Sequence, residues 1–281
     1  RSRIKKSLIP MLPAGGPVQC YHAKTQDTEA LRMTDEISRL HEAGTPYRDI
    51  SILYRAHYCS RTVEKALQDA KIPYTIYSGV SFYDRAEIKD ALSYLRMIAY
   101  QDDLSFLRVV NQPKRNLGQK RIRFLQDYAA QNGCSLYTAL RRTLDDEIFK
   151  GTKAVKFVDL IERFSALAEK RSVSELLGAI LAESGYETLL RTEGSQERLD
   201  NLAELKQSVY DFETSCGEET TLDAYLHCVA LYTGGDLADA ADKVKLMTVH
   251  AAKGLEFPYV FLCEMNEGVF PSGKVRTLES M

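Results

Sequence analysis

Long apolar runs are missing from this chain of 281 residues. The longest are a few residues, such as Val260-Phe261-Leu262-Cys263, where a membrane-spanning helix needs about 20. The basic start Arg1-Ser2-Arg3-Ile4-Lys5-Lys6 has no apolar stretch of signal-peptide type behind it. Six cysteines, at 20, 59, 134, 216, 228 and 263, form no CxxC pair, which removes the usual spacing of a zinc site or a thioredoxin-like motif. Thiols scattered in this way fit a reducing cytosol, and a cytoplasmic location is the expectation. Charge excess is missing too: 37 Lys+Arg against 39 Asp+Glu leave a net charge of −2, so nucleic-acid binding has to be argued from a local patch. No Gly-x-x-x-x-Gly-Lys-[Ser/Thr], His-Glu-x-x-His or Gly-x-Ser-x-Gly occurs, and the chain by itself shows no evident catalytic centre.

What is present is ordinary globular material, 44% hydrophobic and 27% charged, which excludes disorder, collagen-like repeats and a disulfide-dense scaffold. At about 150 residues per domain the length suggests roughly two domains. The first part alternates strand and helix. Val18 to His22 reads as a short strand after a Pro-Ala-Gly-Gly-Pro break, Thr28 to Ala43 as a helix stopped by Gly44, and Ile50 to Arg55 as a buried parallel strand. Ser60 is expected to cap a helix through Lys71, and Pro73 to Tyr77 reads as another strand. From about Arg85 the pattern turns helical, with Ile88, Ala91, Leu92, Leu95, Ile98 and Ala99 on one stripe. Helical patterns continue over 105–110, 119–131, 135–143, 155–169, 174–184, 199–214 and 222–231. Strands return at Val244 to Val249 and Tyr259 to Leu262. The fold class is therefore α/β, a parallel-sheet domain interrupted by a large all-helical insertion.

Three segments carry candidate chemistry. The loop His250-Ala251-Ala252-Lys253-Gly254-Leu255-Glu256-Phe257-Pro258 leaves a strand end, where ligands of open α/β sheets bind. Gly254 there permits a positive φ, Glu256 is able to accept from a hydroxyl pair, and Lys253 and His250 to face phosphate. A tight turn with a solvated Lys and Glu reads equally well. Between Asp103 and Asp127 stand Arg108, Lys114, Arg115, Lys120, Arg121 and Arg123 without an acid among them. A polar turn opening a helix beside such cations suits phosphate contact without base readout; by itself it reads more simply as a solvated basic face. Tyr54-Arg55-Ala56-His57-Tyr58-Cys59-Ser60-Arg61 offers charge and stacking to a nucleic-acid strand, or only a capped helix with arginines at a domain edge.

Ile52-Leu53-Tyr54-Arg55 with Ser60-Arg61 and Glu64, Pro73-Tyr74, Phe82-Tyr83-Asp84-Arg85-Ala86-Glu87-Ile88-Lys89-Asp90, Tyr94-Leu95-Arg96, the run Leu246 to Phe257 and Glu267-Gly268-Val269-Phe270-Pro271 stand in a familiar order and spacing. With them the chain resembles the second half of the UvrD/PcrA/Rep family of superfamily 1 DNA helicases over nearly its whole length, least between Leu144 and Asp242. The run from Leu246 is similar to helicase motif V.

The resemblance implies a two-lobed motor that holds ATP between RecA-like lobes and steps 3′-to-5′ on single-stranded DNA. Residues 1–84 and 242–281 would form the second RecA-like lobe, and 85–241 its inserted helical 2B-type subdomain. The family's P-loop and Mg2+ ligands belong to the first lobe, and its motif VI follows motif V. A chain truncated before motif VI, inactive as an ATPase by itself, is therefore implied. ATP and Mg2+ serve the full-length enzyme. Its implied partners are single-stranded DNA, duplex DNA at a fork and the first lobe of the same polypeptide, without a membrane.

By position, Glu256, in one loop with Gly254, resembles the glutamate that hydrogen-bonds the ATP ribose, while Thr248 and His250 resemble positions beside single-stranded DNA. Arg55 and His57 fall in a stretch that lines the strand, where the family often has Asn for His57. Lys114, Arg115, Lys120 and Arg121 match the region touching duplex ahead of the fork; the family often shows Gly-Ile-Gly where this chain has Asn116-Leu117-Gly118. The motor of a helicase–nuclease subunit, or a motor-less DNA-binding or protein-interaction module, are the other readings.

Overall fold

The computed structural model of the chain describes residues 15–77, 79–215, 220–233 and 242–271. Local chemistry sets the first elements. The Thr25 hydroxyl accepts the Thr28 N–H and opens helix α1 (Gln26–Glu42), and Gly44, at φ +98°, turns the chain out of it. Strand β1 (Ile50–Tyr54) is buried along its whole length, as a central strand of a parallel sheet must be. Helix α2 (Ser60–Asp69) and the short strand β2 (Tyr74–Ile76) follow. After the helical stretch come β3 (Val244–Thr248) and β4 (Tyr259–Leu262).

The four strands pair in the order β2-β3-β1-β4, all parallel, with Ile52 opposite both Leu246 and Phe261. Alternate residues Ile50, Ile52 and Tyr54 pack with Ala30, Met33 and Ile37 of α1 and Val63, Ala66 and Leu67 of α2, so both helices cover one face of the sheet. The β4 edge is the least covered part: Tyr259, Val260 and Leu262 are 40%, 47% and 49% exposed. Because all strands are parallel, the loops leaving β1, β2 and β3 gather along one edge.

Residues 86–233 are helical among the described residues. Helices α3 (Ala86–Ala99), α4 (Asp103–Val109), α5 (Gln119–Asn132), α6 (Leu136–Arg142), α7 (Ala154–Ser165), α8 (Val173–Glu183), α9 (Tyr186–Thr192), α10 (Gln196–Ser215) and α11 (Leu222–Thr233) share a second apolar core. Asp102, Ser135 and Ser172 cap α4, α6 and α8 by accepting the N–H three residues on. Helix α3 is the axle, touching α4, α7, α8, α10 and α11.

Two expectations fail. Val18 to His22 is not a strand: the segment is irregular, Val18 is 92% exposed, and it pairs with no strand among the described residues, so neither ladder nor burial supports it. Ser60 is not a cap either. It lies inside the first turn of α2, its hydroxyl donates to the His57 carbonyl, and a 3-10 turn (His57–Cys59) precedes it. Helix α9 goes unanticipated because seven residues between glycines hold too few turns to show a stripe.

Ile52 is fully buried at the centre of the sheet, and Ile52→Ala is expected to cost about 2–5 kcal/mol in urea unfolding. A loss below about 1 kcal/mol would contradict this packing.

Candidate nucleic-acid and nucleotide interface

Thr248 ends β3 directly opposite Tyr54, the last residue of β1, and the Val249 N–H reaches back to the Tyr54 carbonyl. That register sets Arg55 beside the loop after β3, and an Arg55 guanidinium nitrogen stands 3.2 Å from His250 Nδ1. Arginine carries only donors, so His250 accepts at Nδ1, which leaves its Nε2–H without a hydrogen-bond partner among the described residues. The loop itself is a chain of turns: the Ala251 N–H donates to the Thr248 hydroxyl, the Ala252 N–H to the Thr248 carbonyl and the Leu255 N–H to the Ala252 carbonyl. Gly254 sits at φ +85° with open space where a side chain would project, a conformation other residues adopt only at a cost. Glu256 and Lys253 are exposed on the same loop.

His57 takes a different environment. It begins the 3-10 turn after β1 and packs against the loop after β2, where a Cβ on Gly79 would stand only 3.0 Å from His57 Cε1. Burial pulls its imidazole below the ordinary 6.5, and the neighbouring Arg85 charge adds to this. Both effects favour the neutral ring. A cleft of about 320 Å³ opens here, lined among others by His57, Gly79, Arg85, Glu197 and Arg198.

The basic turn belongs to the helical core and shares no hydrogen bond with these loops among the described residues. Its four candidate cations divide. Lys114 and Lys120 are exposed. Arg115 is only 6% exposed and points inward. Its guanidinium donates to the carbonyls of Val109, Val110, Pro113 and Ser184 and to the Tyr94 hydroxyl, and it lies 4.9 Å from the Phe157 ring centroid. This corrects its expected place at the surface: six nearby oxygens and rings satisfy the guanidinium better than solvent exposure beside other cations. Arg121 is half-buried and holds the Ile148 and Asn116 carbonyls. The Asn111 side chain accepts the N–H groups of Arg115 and Leu117. Asn116 stands at φ +61°, a conformation that suits glycine and that asparagine tolerates better than other side chains. The turn is thus prebuilt, with Lys114 and Lys120 outward beside the start of α5.

Of the buried charges where the two cores meet, sequence reasoning read only Arg61, as charge offered to a nucleic-acid strand or resting at a domain edge, and gave the others no role. Arg61 (6% exposed) pairs with Glu204 at 2.5 Å and Asp211 at 3.0 Å, and Arg85 with Asn201. The only available signal was the clustering of Ser60, Arg61 and Glu64 in one helical turn, a polar start that an amphipathic α2 does not need.

The division of the basic turn is testable. Arg115→Ala strands several buried carbonyls and is expected to cost about 3 kcal/mol, whereas Lys114→Ala changes stability by no more than about 0.5 kcal/mol. Equal denaturation midpoints for the two variants would refute the inward placement of Arg115.

Comparison with known proteins adds an independent finding. Residues 3–280 match the model of the UvrD-like helicase C-terminal domain. An ATP-dependent DNA helicase PcrA of Staphylococcus epidermidis RP62A is 37% identical over 287 aligned residues, which cover 99% of this chain and 39% of that protein. The ATP-dependent DNA helicase PcrA of Staphylococcus aureus Mu50 is 37% identical over 275, covering 95% of this chain and 37% of the relative. The chain therefore spans well under half the length of these curated relatives, and no described helix is long and apolar enough to cross a membrane. A parallel sheet with a helical core inserted between β2 and β3, and a family match along almost the entire sequence, make this chain a member of the UvrD-like helicase C-terminal domain family.

Proposed function

We propose that the polypeptide to which this chain belongs is an ATP-dependent DNA helicase that moves 3′-to-5′ on single-stranded DNA and opens duplex, in DNA repair or replication in the cytoplasm. The observation that carries the reading is the carboxyl edge of the sheet, where the Arg55–His250 pair stands on the same loop system as Gly254 and Glu256 within a chain 37% identical to proteins named ATP-dependent DNA helicase PcrA. In this reading residues 1–84 and 242–281 act as a RecA-like lobe and 85–241 as a helical subdomain, which the two separate apolar cores support. A first lobe of the same polypeptide supplies the P-loop and the Mg2+ ligands.

The division of labour follows from the chemistry. Arg55, His57, Thr248 and His250 grip the strand through phosphate and stacking, because base-edge readout would stall a moving motor on particular sequences. The exposed Glu256 carboxylate accepts the ribose hydroxyls of ATP, and Gly254 keeps the loop open beside them. Lys114 and Lys120 meet duplex phosphates ahead of the fork. ATP held between lobes makes hydrolysis depend on their closure.

The deciding measurement is ATP hydrolysis by the intact polypeptide with and without single-stranded DNA. Strong stimulation by DNA is expected; DNA binding without any ATPase would favour a motor-less binding module. Within that assay, Glu256→Gln should raise the KM for ATP with folding unchanged, and an unaltered KM and kcat would remove Glu256 from the nucleotide site. Lys114→Ala with Lys120→Ala should weaken fork binding and lower the log–log salt slope by about 2, roughly one per lost phosphate contact. An unchanged slope would leave the turn a solvated face.

A further inference from the structure

The loop that carries Glu256 is held to the rest of the chain at few points. From Lys253 to Val260 every residue is exposed except Phe257, which is half-buried. Neither Glu256 nor Phe257 makes a backbone hydrogen bond among the described residues. Phe257 is held by its ring instead. The Lys245 ammonium lies 5.1 Å from the ring centroid and donates to the Arg48 carbonyl at 2.6 Å. The sheet explains why a lysine stands there. Val244 and Leu246 of β3 belong to the core that α1 and α2 cover. Lys245 between them projects from the opposite face, in one row with Ser51 of β1 and Val260 of β4. Ser51 is fully buried, so this face is covered as well, and the ring over Lys245 belongs to the loop that lies across it. Strand β3 is paired on both sides, with β2 and β1, which makes it a rigid base for such a contact.

We propose that Lys245 is a positioning residue for Glu256: it clamps the Phe257 ring to the sheet and so fixes the direction in which the preceding carboxylate is presented to a nucleotide ribose. The proposal rests on the reading of Glu256 as the acceptor of ribose hydroxyls. Pro258 biases Phe257 to an extended backbone, and consecutive side chains of an extended segment point to opposite sides. A ring turned down onto Lys245 therefore turns the Glu256 carboxylate out, where it is exposed. The attraction between the ammonium and the ring face depends on their orientation, so it holds the ring at one angle where an apolar neighbour would let it slide. Lys245, engaged with the ring and the Arg48 carbonyl, acts through Glu256 and not on the nucleotide.

The test measures binding of ADP and of 2′,3′-dideoxy-ADP to the intact polypeptide by titration calorimetry with Mg2+. The ratio of the dideoxy-ADP Kd to the ADP Kd isolates what the ribose hydroxyls contribute. Glu256→Gln is expected to lower this ratio about tenfold, the scale of a lost hydrogen bond to a charged group. Lys245→Met keeps the aliphatic stem and loses the charge, and Phe257→Leu keeps apolar bulk and loses the ring face. Each is expected to lower the ratio about threefold, the scale of a cation–π contact at a half-exposed site, with the dideoxy-ADP Kd unchanged. The double variant should be no worse than either single change, because both remove one contact, and Lys245→Arg should keep the parent ratio. If Glu256→Gln lowers the ratio while Lys245→Met and Phe257→Leu leave it at the parent value, the positioning role is overturned and the ribose contact stands. Equal losses for both nucleotides, or additive losses in the double variant, make the pair a general support of the fold and also overturn it. If Glu256→Gln leaves the ratio unchanged, the ribose reading falls and the proposal with it.

Discussion

Two apolar cores in one chain are joined across a seam of buried charge, and that seam constrains everything near it. Removing one partner of a buried ion pair costs far more than the pair contributes when intact, so each member of the set must keep its match: Arg61 with Glu204 and Asp211, Arg85 with Asn201 beneath Glu64 and Glu87. A wholly apolar junction would tolerate sliding. A junction built from directional hydrogen bonds favours one register of α10 on α2, and the loop between β1 and α2 inherits its shape from that register. The first turn of α2 is correspondingly buried all round, from Ser60 to Glu64, although four of its five residues carry hydroxyls or charge and only Val63 is apolar.

Parallel pairing is the second organising fact. It brings residues far apart in sequence, Arg55 and His250, to one edge of the sheet within hydrogen-bond distance. It also explains what the amino-acid order revealed. Ile50 to Tyr54 is a near-continuous apolar run, the pattern of a strand buried on both faces, and Val244, Leu246 and Met247 give its neighbour a buried centre. The α3 stripe is legible because its apolar positions recur every three to four residues along a helix that the rest of the insertion wraps. Val18 to His22 shows the limit. Its residues suit a strand, but strand formation is decided by partners and burial, which a local stretch does not encode.

The basic turn shows the same limit for a site. Lys114, Arg115, Lys120 and Arg121 look alike as letters. Which cation faces water depends on where the carbonyls of Val109, Val110 and Ser184 end up once α4, α5 and α8 have packed, and no spacing rule contains that. The result is a division between framework and contact inside one short segment: arginines with their five donors tie down the backbone, and lysines with a single mobile charge remain outside. Asn116 at positive φ completes the framework where a glycine would have left the turn looser in the unfolded chain.

The β4 edge has a consequence for handling the protein. Its outer row of backbone N–H and C=O groups meets no strand among the described residues, and half-exposed Tyr259, Val260 and Leu262 flank it. An uncovered edge with apolar neighbours is a template for another strand, including that of a second copy. Preparations of this chain by itself will therefore be prone to concentration-dependent self-association, and a lysine at an outward β4 position is the conservative way to keep them monodisperse without disturbing the core beneath.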